Sequence, residues 1–307
     1  MKPDPRFAKQ PKEFWANVRT LSESIGYTQT MPGFIDIAPY LVTAGARTKR
    51  KQEIVVPTLS EMVTCLEKLG LRSDHIGDGS TPTALGQMLL DYFRHRSDAI
   101  HAIECKLMDV TQASALYAES VAKYIGVVGK QPMNRQKGTK RAKAFLTCLV
   151  NLIIAAHASG YPCDYDPQLL TKLTKDKIPF RTLARRVDGA FTSTNDPIAI
   201  WEIKEYYYTT TFGSRIADGV YETLVDGMEI EEATASGCTT KHYLMVDSYY
   251  TWWGCGKSYL CRIVDMLHMG YVDEVLFGRE VAEELPRIVQ SWVAQAEAIG
   301  LPREENL

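Results

Sequence analysis

The 307-residue sequence predicts an α/β fold preceded by a mainly helical N-terminal region. Two observations carry that expectation. From about residue 184 onward, short β-branched and aromatic runs alternate with segments of helical period, in the order strand, strand, helix, strand, helix, strand, helix. Between residues 59 and 125, by contrast, apolar residues recur at the spacing of amphipathic helices.

Residues 1–57 hold several prolines, few periodic runs and the basic cluster Arg47-Thr48-Lys49-Arg50-Lys51, and read as an extended arm with short elements. Leu59 to Leu69 and Pro82 to Arg96 read as amphipathic helices; in the second, Leu85, Met88, Leu89 and Phe93 share a face. A longer helix is expected from about Ala99 to Ile125, ending near Gly126. Gly129 to Lys143 carries Lys130, Arg135, Lys137, Lys140, Arg141 and Lys143 without one acidic residue, and is expected to be a loop leading into a buried helix over 140–158. Strands are expected over 184–191 and 198–209, joined by a turn at Asn195-Asp196-Pro197.

A helix over 214–231 should turn Ile216, Val220, Leu224 and Met228 inward and Arg215, Asp218, Glu222 and Asp226 outward. His242 to Trp253 reads as one strand, Ser258 to Met269 as a helix closed by Gly270, Val272 to Phe277 as a short strand and Glu280 to Ile299 as the last helix. Residues 1–100 thus form an N-terminal recognition or dimerisation region, and 101–307 the core.

Composition narrows the class of protein. A formal net charge of -2 argues against a general polyanion-coating protein, although basic residues gathered on one surface are compatible with a nucleic-acid enzyme. The cysteines at 65, 105, 148, 163, 238, 255 and 261 form no CxxC pair, and with no secretory signal they are expected to be reduced thiols in the cytoplasm. The apolar stretch Ala144 to Ala156 is too short to span a bilayer and fits a buried helix, so no membrane partner is expected.

The chemistry concentrates at Val187-Asp188-Gly189-Ala190 and Ile198-Ala199-Ile200-Trp201-Glu202-Ile203-Lys204. Glu202 and Lys204 lie two apart in a strand and therefore share a face. If the runs pair as a hairpin, Asp188 lies beside Glu202, and two carboxylates and an ammonium converge. Such carboxylates hold a hard ion such as Mg²⁺ through oxygen, and the Lys can orient a water attacking a phosphate. The other ExK triplet, Glu104-Cys105-Lys106, falls in a helical stretch where residues two apart do not face each other. A cross-strand ion pair on a solvated sheet is the plainer alternative. Against it, Ile198 to Trp201 is apolar on both faces, and charges on a central strand are costly to bury without a function.

Asp188, thirteen residues, then Glu202-Ile203-Lys204 on the second of two strands resembles the signature of the PD-(D/E)xK nuclease superfamily, with Val187 in place of the usual Pro. The resemblance spans about residues 100–280 and, in size, is most similar to a type II restriction endonuclease. It implies a restriction-endonuclease-like αβββαβ core, a mixed central sheet flanked by helices. It implies that Asp188, Glu202 and the Ile203 carbonyl ligate Mg²⁺, that Lys204 positions or helps deprotonate water, and that a Glu from an upstream helix joins them, for which Glu119 is the candidate. Glu205, directly after the motif, points to the opposite face. The implied partners are double-stranded DNA and a second copy of the chain in a two-fold homodimer, with the helices of 58–125 as the candidate interface.

Lys130, Arg135, Lys137, Lys140, Arg141 and Lys143 are expected to meet DNA phosphates, with Arg181, Arg185 and Arg186 holding the backbone near the scissile bond. The alternative for each is a solvated surface charge. Gly254-Cys255-Gly256-Lys257-Ser258 ends like a phosphate-binding loop, but position 251 is Thr where Gly is required, so a glycine turn into a helix is expected. The expected function is a Mg²⁺-dependent, site-specific double-stranded DNA endonuclease. A structure-specific repair or recombination nuclease and a DNA-binding protein with a vestigial site are the alternatives.

Overall fold

The computed structural model describes residues 1–8, 10–136 and 139–303, with side chains 134–141 outside the description. Its N-terminal part is more ordered than an extended arm. Residues Lys12–Ile25 form helix α1, whose Phe14, Trp15, Val18 and Leu21 recur at helical spacing and are buried. They pack with α3 (Leu59–Lys68) and α4 (Ala84–Ile103) around Met62, Leu66, Tyr92 and Phe93. The prolines around this helix hid it from a reading of composition, yet Pro11 sits at its N-cap, where the missing N–H costs nothing. Between α1 and α3, strands β1 (Thr28–Phe34) and β2 (Arg50–Ile54) pair antiparallel as a separate two-stranded sheet, with the short helix α2 (Pro39–Thr43) between them.

The long helix expected over 99–125 is two helices. The chain leaves α4 through a 3₁₀ turn at Glu104–Lys106, and Asp109 starts α5 (Val110–Lys123). Asp109 accepts from the Gln112 N–H (2.9 Å) while its own N–H donates to Gln112 Oε1 (3.1 Å). This reciprocal cap satisfies two helix-end donors, so a new helix is favoured where continuous periodicity had pointed to one.

The expected loop at 129–143 contains a strand pair, β3 (Met133–Gln136) and β4 (Thr139–Lys143). Helix α6 (Phe145–His157) follows; it is apolar nearly all round and lies between α5, α9 and the sheet. Strand β5 (Cys163–Tyr165) and the β6–β7 hairpin (Lys172–Lys175, Ile178–Thr182) lie between the expected helix and the first expected strand, where no element was expected.

The two motif strands are β8 (Gly189–Phe191) and β9 (Ala199–Glu205), shorter than expected. They pair antiparallel with Gly189 opposite Trp201, which sets Asp188 level with Glu202. Then come α7 (Ser214–Thr234), β10 (Lys241–Asp247), α8 (Lys257–Met269), β11 (Glu274–Phe277) and α9 (Glu280–Ala298). The fold is therefore α/β, with one mixed five-stranded sheet in the order β11-β10-β9-β8-β5. Strands β5, β8 and β9 are antiparallel neighbours, whereas β10 is parallel to β9 and to β11. Helices α6 and α9 cover one face, where Trp201 stacks on Trp292 at 5.7 Å. Helices α7 and α8 cover the other, with α4 behind α8.

The strand expected over 242–253 ends at Asp247, and Tyr249–Cys255 winds into a π-helical turn. Asp247 makes that corner. It is fully buried and accepts from the N–H groups of Met108 and Ser248 (both 2.8 Å) and from the Tyr207 hydroxyl. Burial nevertheless pushes its carboxyl up to about 7. Its unfolded value is about 3.9, so between roughly pH 4 and 7 the folded state holds a proton that the unfolded state has lost. Stability from this group is complete below about pH 4 and falls as pH rises to 7. Asn keeps an oxygen for the Met108 and Ser248 N–H groups and can donate its amide N–H to the Tyr207 oxygen, and it does not titrate. We therefore expect Asp247→Asn to lose less stability than the wild type between pH 5 and 7.5 in urea unfolding; equal losses would remove Asp247 as the cause.

Candidate functional site

Strand β9 is central, between β8 and β10, and its side chains alternate between the two helical layers. Glu202 and Lys204 face α7, and the Lys204 ammonium donates to Glu202 Oε2 at 2.7 Å. Helix α7 presents Gly219 to Lys204, and a Cβ there would come 3.2 Å from Lys204 Cδ. The missing side chain leaves a channel for the Lys204 stem. Asp188, at the entrance to β8, gives its own N–H to Glu202 Oε1 (3.2 Å) and accepts the Ile203 N–H on Oδ2 (2.7 Å). The structure thus brings Asp188, Glu202, Ile203 and Lys204 together. In a strand, the N–H and C=O of one residue leave on the same side, so the Ile203 carbonyl is directed to the Asp188 edge as well.

The two carboxylates differ in setting. Asp188 is exposed, whereas Glu202 is 0 % exposed and saturated. Besides the Asp188 N–H and Lys204, Glu202 receives Arg185, whose Nη1 lies 2.9 Å from Oε1 and whose Nη2 donates to Oε2 at 3.1 Å. Burial alone would raise the Glu202 pKa, but Lys204 and Arg185 outweigh it and hold the group below the ordinary carboxylate range. The Lys204 pKa is raised: desolvation opposes its charge, and Glu202 and then Asp188 overcome that. Asp188 is pushed up to about 6, first by desolvation in its crowded surroundings and then by the charge of Glu202. Because solvent reaches the residue, desolvation there is softened, and the like charge is the cause that persists.

Arg185 also contacts Asp226 Oδ2 at 2.5 Å and Glu222 Oε2 at 3.5 Å. One guanidinium is shared by three carboxylates, and the two partners of its closest pair shift in the same direction. The Arg185 pKa rises with its carboxylate neighbours, while fully buried Asp226 is pushed up to about 7 by desolvation and by Glu202. The buried Asp226 Oδ1 has no hydrogen-bond partner. Asp226 was expected on the outer face of its helix. In fact α7 turns Ile216, Gly219, Val220, Thr223, Asp226 and Gly227 inward, and Met228 is 51 % exposed.

On the other face of β9, Glu205 Oε2 accepts the backbone N–H and the hydroxyl of Thr147 (both 3.1 Å) at the start of α6. Burial pushes its carboxyl up to about 7 despite these bonds. Glu205 therefore does point away from Glu202. Even so, Asp188, Ile203, Lys204 and Glu205 all line one open cleft of about 690 Å³ at the end of β9, together with Thr147, Asp166, Arg185, Tyr206, Arg215, Asp218 and Glu222. Five acidic and three basic side chains line it.

Several expected site residues lie elsewhere. Glu119 is exposed on α5; the buried face of that helix is Ala113, Tyr117 and Ser120, and Glu119 is absent from the cleft lining. Its small neighbours at helical spacing, Ala115 and Ala122, are exposed as well, so this face of α5 turns to solvent. Arg185 is engaged by carboxylates and has no free fork for a phosphate. Arg181 is likewise paired with Glu229 and Glu232, and Arg186 donates to Gln168 Oε1 at 2.9 Å. Lys130 is exposed and donates to the Tyr165 carbonyl (2.8 Å), and the Lys143 ammonium lies over the Tyr117 ring. Lys137 lies outside the described residues, as do the side chains of Arg135, Lys140 and Arg141.

Glu205, Glu222 and Asp226 were the residues missed. The signal for Asp226 was Gly219 and Gly227 eight apart, marking the close face of α7. Among the described residues no three His, Cys, Asp or Glu side chains are grouped to hold a metal ion. Magnesium asks less, since one or two carboxylates suffice when water and substrate phosphate complete its shell. Asp188 and the Ile203 carbonyl fit that requirement. Glu202 fits it only if Arg185 or Lys204 releases an oxygen.

Residues 108–292 match the family described as "Domain of unknown function (DUF7687)", and residues 1–103 match "Domain of unknown function (DUF7690)". No curated protein and no solved structure matches the chain. No helix among the described residues is long and apolar enough to cross a membrane.

Proposed function

For this chain, which belongs to the DUF7687 family, we propose a magnesium-dependent endonuclease acting on double-stranded DNA. The observation that carries the reading is the meeting of Asp188, Glu202 and Lys204, drawn from two strands, at a solvent-open strand end. The element order supports it: with the β6–β7 hairpin taken as an insertion, α6, β5, β8, β9, α7, β10 is similar to the αβββαβ order of PD-(D/E)xK nucleases, three antiparallel strands and then one parallel to β9.

Asp188 and the Ile203 carbonyl would hold the magnesium, with Glu202 joining when a cation partner moves. When bound, the ion supplies an activated water at neutral pH and offsets charge on the phosphate. The Lys204 ammonium, 2.7 Å from Glu202 Oε2 and lining the cleft, would donate hydrogen bonds to the water or the phosphate and place positive charge beside them. Arg185 and Asp226 act behind Glu202 as positioning residues.

Digestion of a sequenced plasmid with Mg²⁺ or Mn²⁺ should give cleavage, while Ca²⁺ should support binding with little turnover. Full activity in chelator would end a metal mechanism. Discrete mapped ends support a type II restriction enzyme, whereas cutting confined to branched DNA supports a structure-specific nuclease. The fourfold-satisfied, fully buried Glu202 favours a second reading, a DNA-binding protein whose ion cluster is structural; DNA binding without cleavage in every metal would favour it. For the restriction reading we expect a homodimer. The buried face of α4 is already used against α1 and α8, so an interface on 58–125 must use its outer residues. Sedimentation with and without DNA checks this, and a monomer in both conditions defeats it.

A further inference from the structure

We infer that the β1–β2 arm is the element that grips duplex DNA, its cations on phosphates and Phe34 against the bases of a groove. The inference rests on the nuclease reading and adds where substrate affinity comes from.

Among the described residues, acids outnumber bases in the cleft lining, and Arg185 there and Arg181 outside it are held by carboxylates. The arm has the opposite character. Residues 37–52 contain four cations, Arg47, Lys49, Arg50 and Lys51, and no acid. All four are exposed, and among the described residues none is within ion-pair reach of a carboxylate. The acid next along β2, Glu53, is taken by His101 at 2.7 Å. Elsewhere the chain pairs many of its cations, as in Arg6–Asp4, Arg72–Asp74 and Arg287–Glu274. Four adjacent unpaired cations suit a polyanion.

Shape points the same way. Every residue of β1 after Thr28 is exposed, and β2 turns only its last residues, up to buried Ile54, to the core, so the outer part of the ribbon stands free. Such ribbons enter DNA grooves, and apolar side chains on them wedge against base steps. Phe34 is 57 % exposed and Met31 38 %, and Arg50 lies 6.0 Å over the Phe34 ring. An isolated two-stranded ribbon is only marginally stable, so this one needs a root. Its root is tied to the segment that leaves β9 and to the start of α8. The Tyr250 hydroxyl donates to the carbonyls of Arg47 (3.1 Å) and Thr210 (3.2 Å), and Lys257 donates to the Gln52 carbonyl (2.8 Å). Thr210 lies in the segment that leaves β9, and Tyr206 of that segment lines the cleft.

The test is fluorescence anisotropy of a labelled duplex in chelator over a salt series, using the full chain. The quadruple variant Arg47→Ala, Lys49→Ala, Arg50→Ala, Lys51→Ala should weaken binding on the order of 10²-fold and reduce the log–log salt slope by about 3 to 4. Phe34→Ala should weaken binding roughly tenfold with the slope unchanged. All five side chains are exposed, so thermal melting should match the wild type and separate loss of grip from loss of fold. If the wild type binds and cuts duplex DNA while the arm variants keep its affinity and slope, the arm inference is overturned and the nuclease reading stands. If the wild type binds no DNA, both fall.

Discussion

Asp188→Ala should lower cleavage at least on the order of 10²–10³-fold while leaving the fold and DNA binding in place. Asp188 is the informative position because its two neighbours in the motif confound chemistry with stability. It is exposed, and its side chain accepts one hydrogen bond, from Ile203 N–H at 2.7 Å, at a strand end that water reaches. Losing that bond should cost about 1 kcal/mol or less. Removing a negative charge from an acidic cleft should, if anything, tighten binding of a polyanion. Cleavage assays in Mg²⁺ with anisotropy in Ca²⁺ separate the two effects. Wild-type cleavage by Asp188→Ala would show that the cleft is not the reaction site. Loss of folding, read by circular dichroism, would show that the open carboxylate is structural.

The second large effect concerns stability. Arg185→Ala should destabilise the fold by about 3 kcal/mol, because it strands Glu202 and Asp226, both 0 % exposed, without their shared cation. A quarter of the Arg185 side chain is exposed, so some water can replace it, and the lower end of the range for broken buried pairs is expected. Coupling with Asp226 gives the sharper test. Asp226 already resists ionisation, being pushed up to about 7, and neutralising it removes part of the penalty that Arg185→Ala exposes. Arg185→Ala combined with Asp226→Asn should therefore be less destabilised than the sum of the single changes. Urea unfolding of the four proteins measures this. Strict additivity, or a loss under 0.5 kcal/mol for Arg185→Ala, would mean that the shared-cation arrangement does not contribute.

What the sequence determined by itself is local. The period-two run around Glu202 and Lys204 set their shared face, and the turn at Asn195-Asp196-Pro197 made a hairpin the expectation, while the register that sets Asp188 level with Glu202 is seen in the structure. Helical period fixed α3, α8 and α9 to within a residue or two, and alternation of strand and helix after residue 184 fixed the fold class. These are properties of neighbours in the chain, and period and turn chemistry report neighbours directly. What only the tertiary structure decided is which charges meet. Helical spacing links Glu222 to Asp226 on α7, but no spacing rule links either to Arg185, which comes from a loop far away in sequence. Glu119 failed for a related reason: small residues at helical spacing define a face but not which side of it the core lies on. Asp109 began a second helix, after the turn that ends α4, through a two-bond cap that a long periodic run had concealed. Burial of Glu202 decided most. Taking one carboxylate out of water forced it to recruit Arg185 and Lys204, so its chemistry depends on partners that only the packed fold could bring to it.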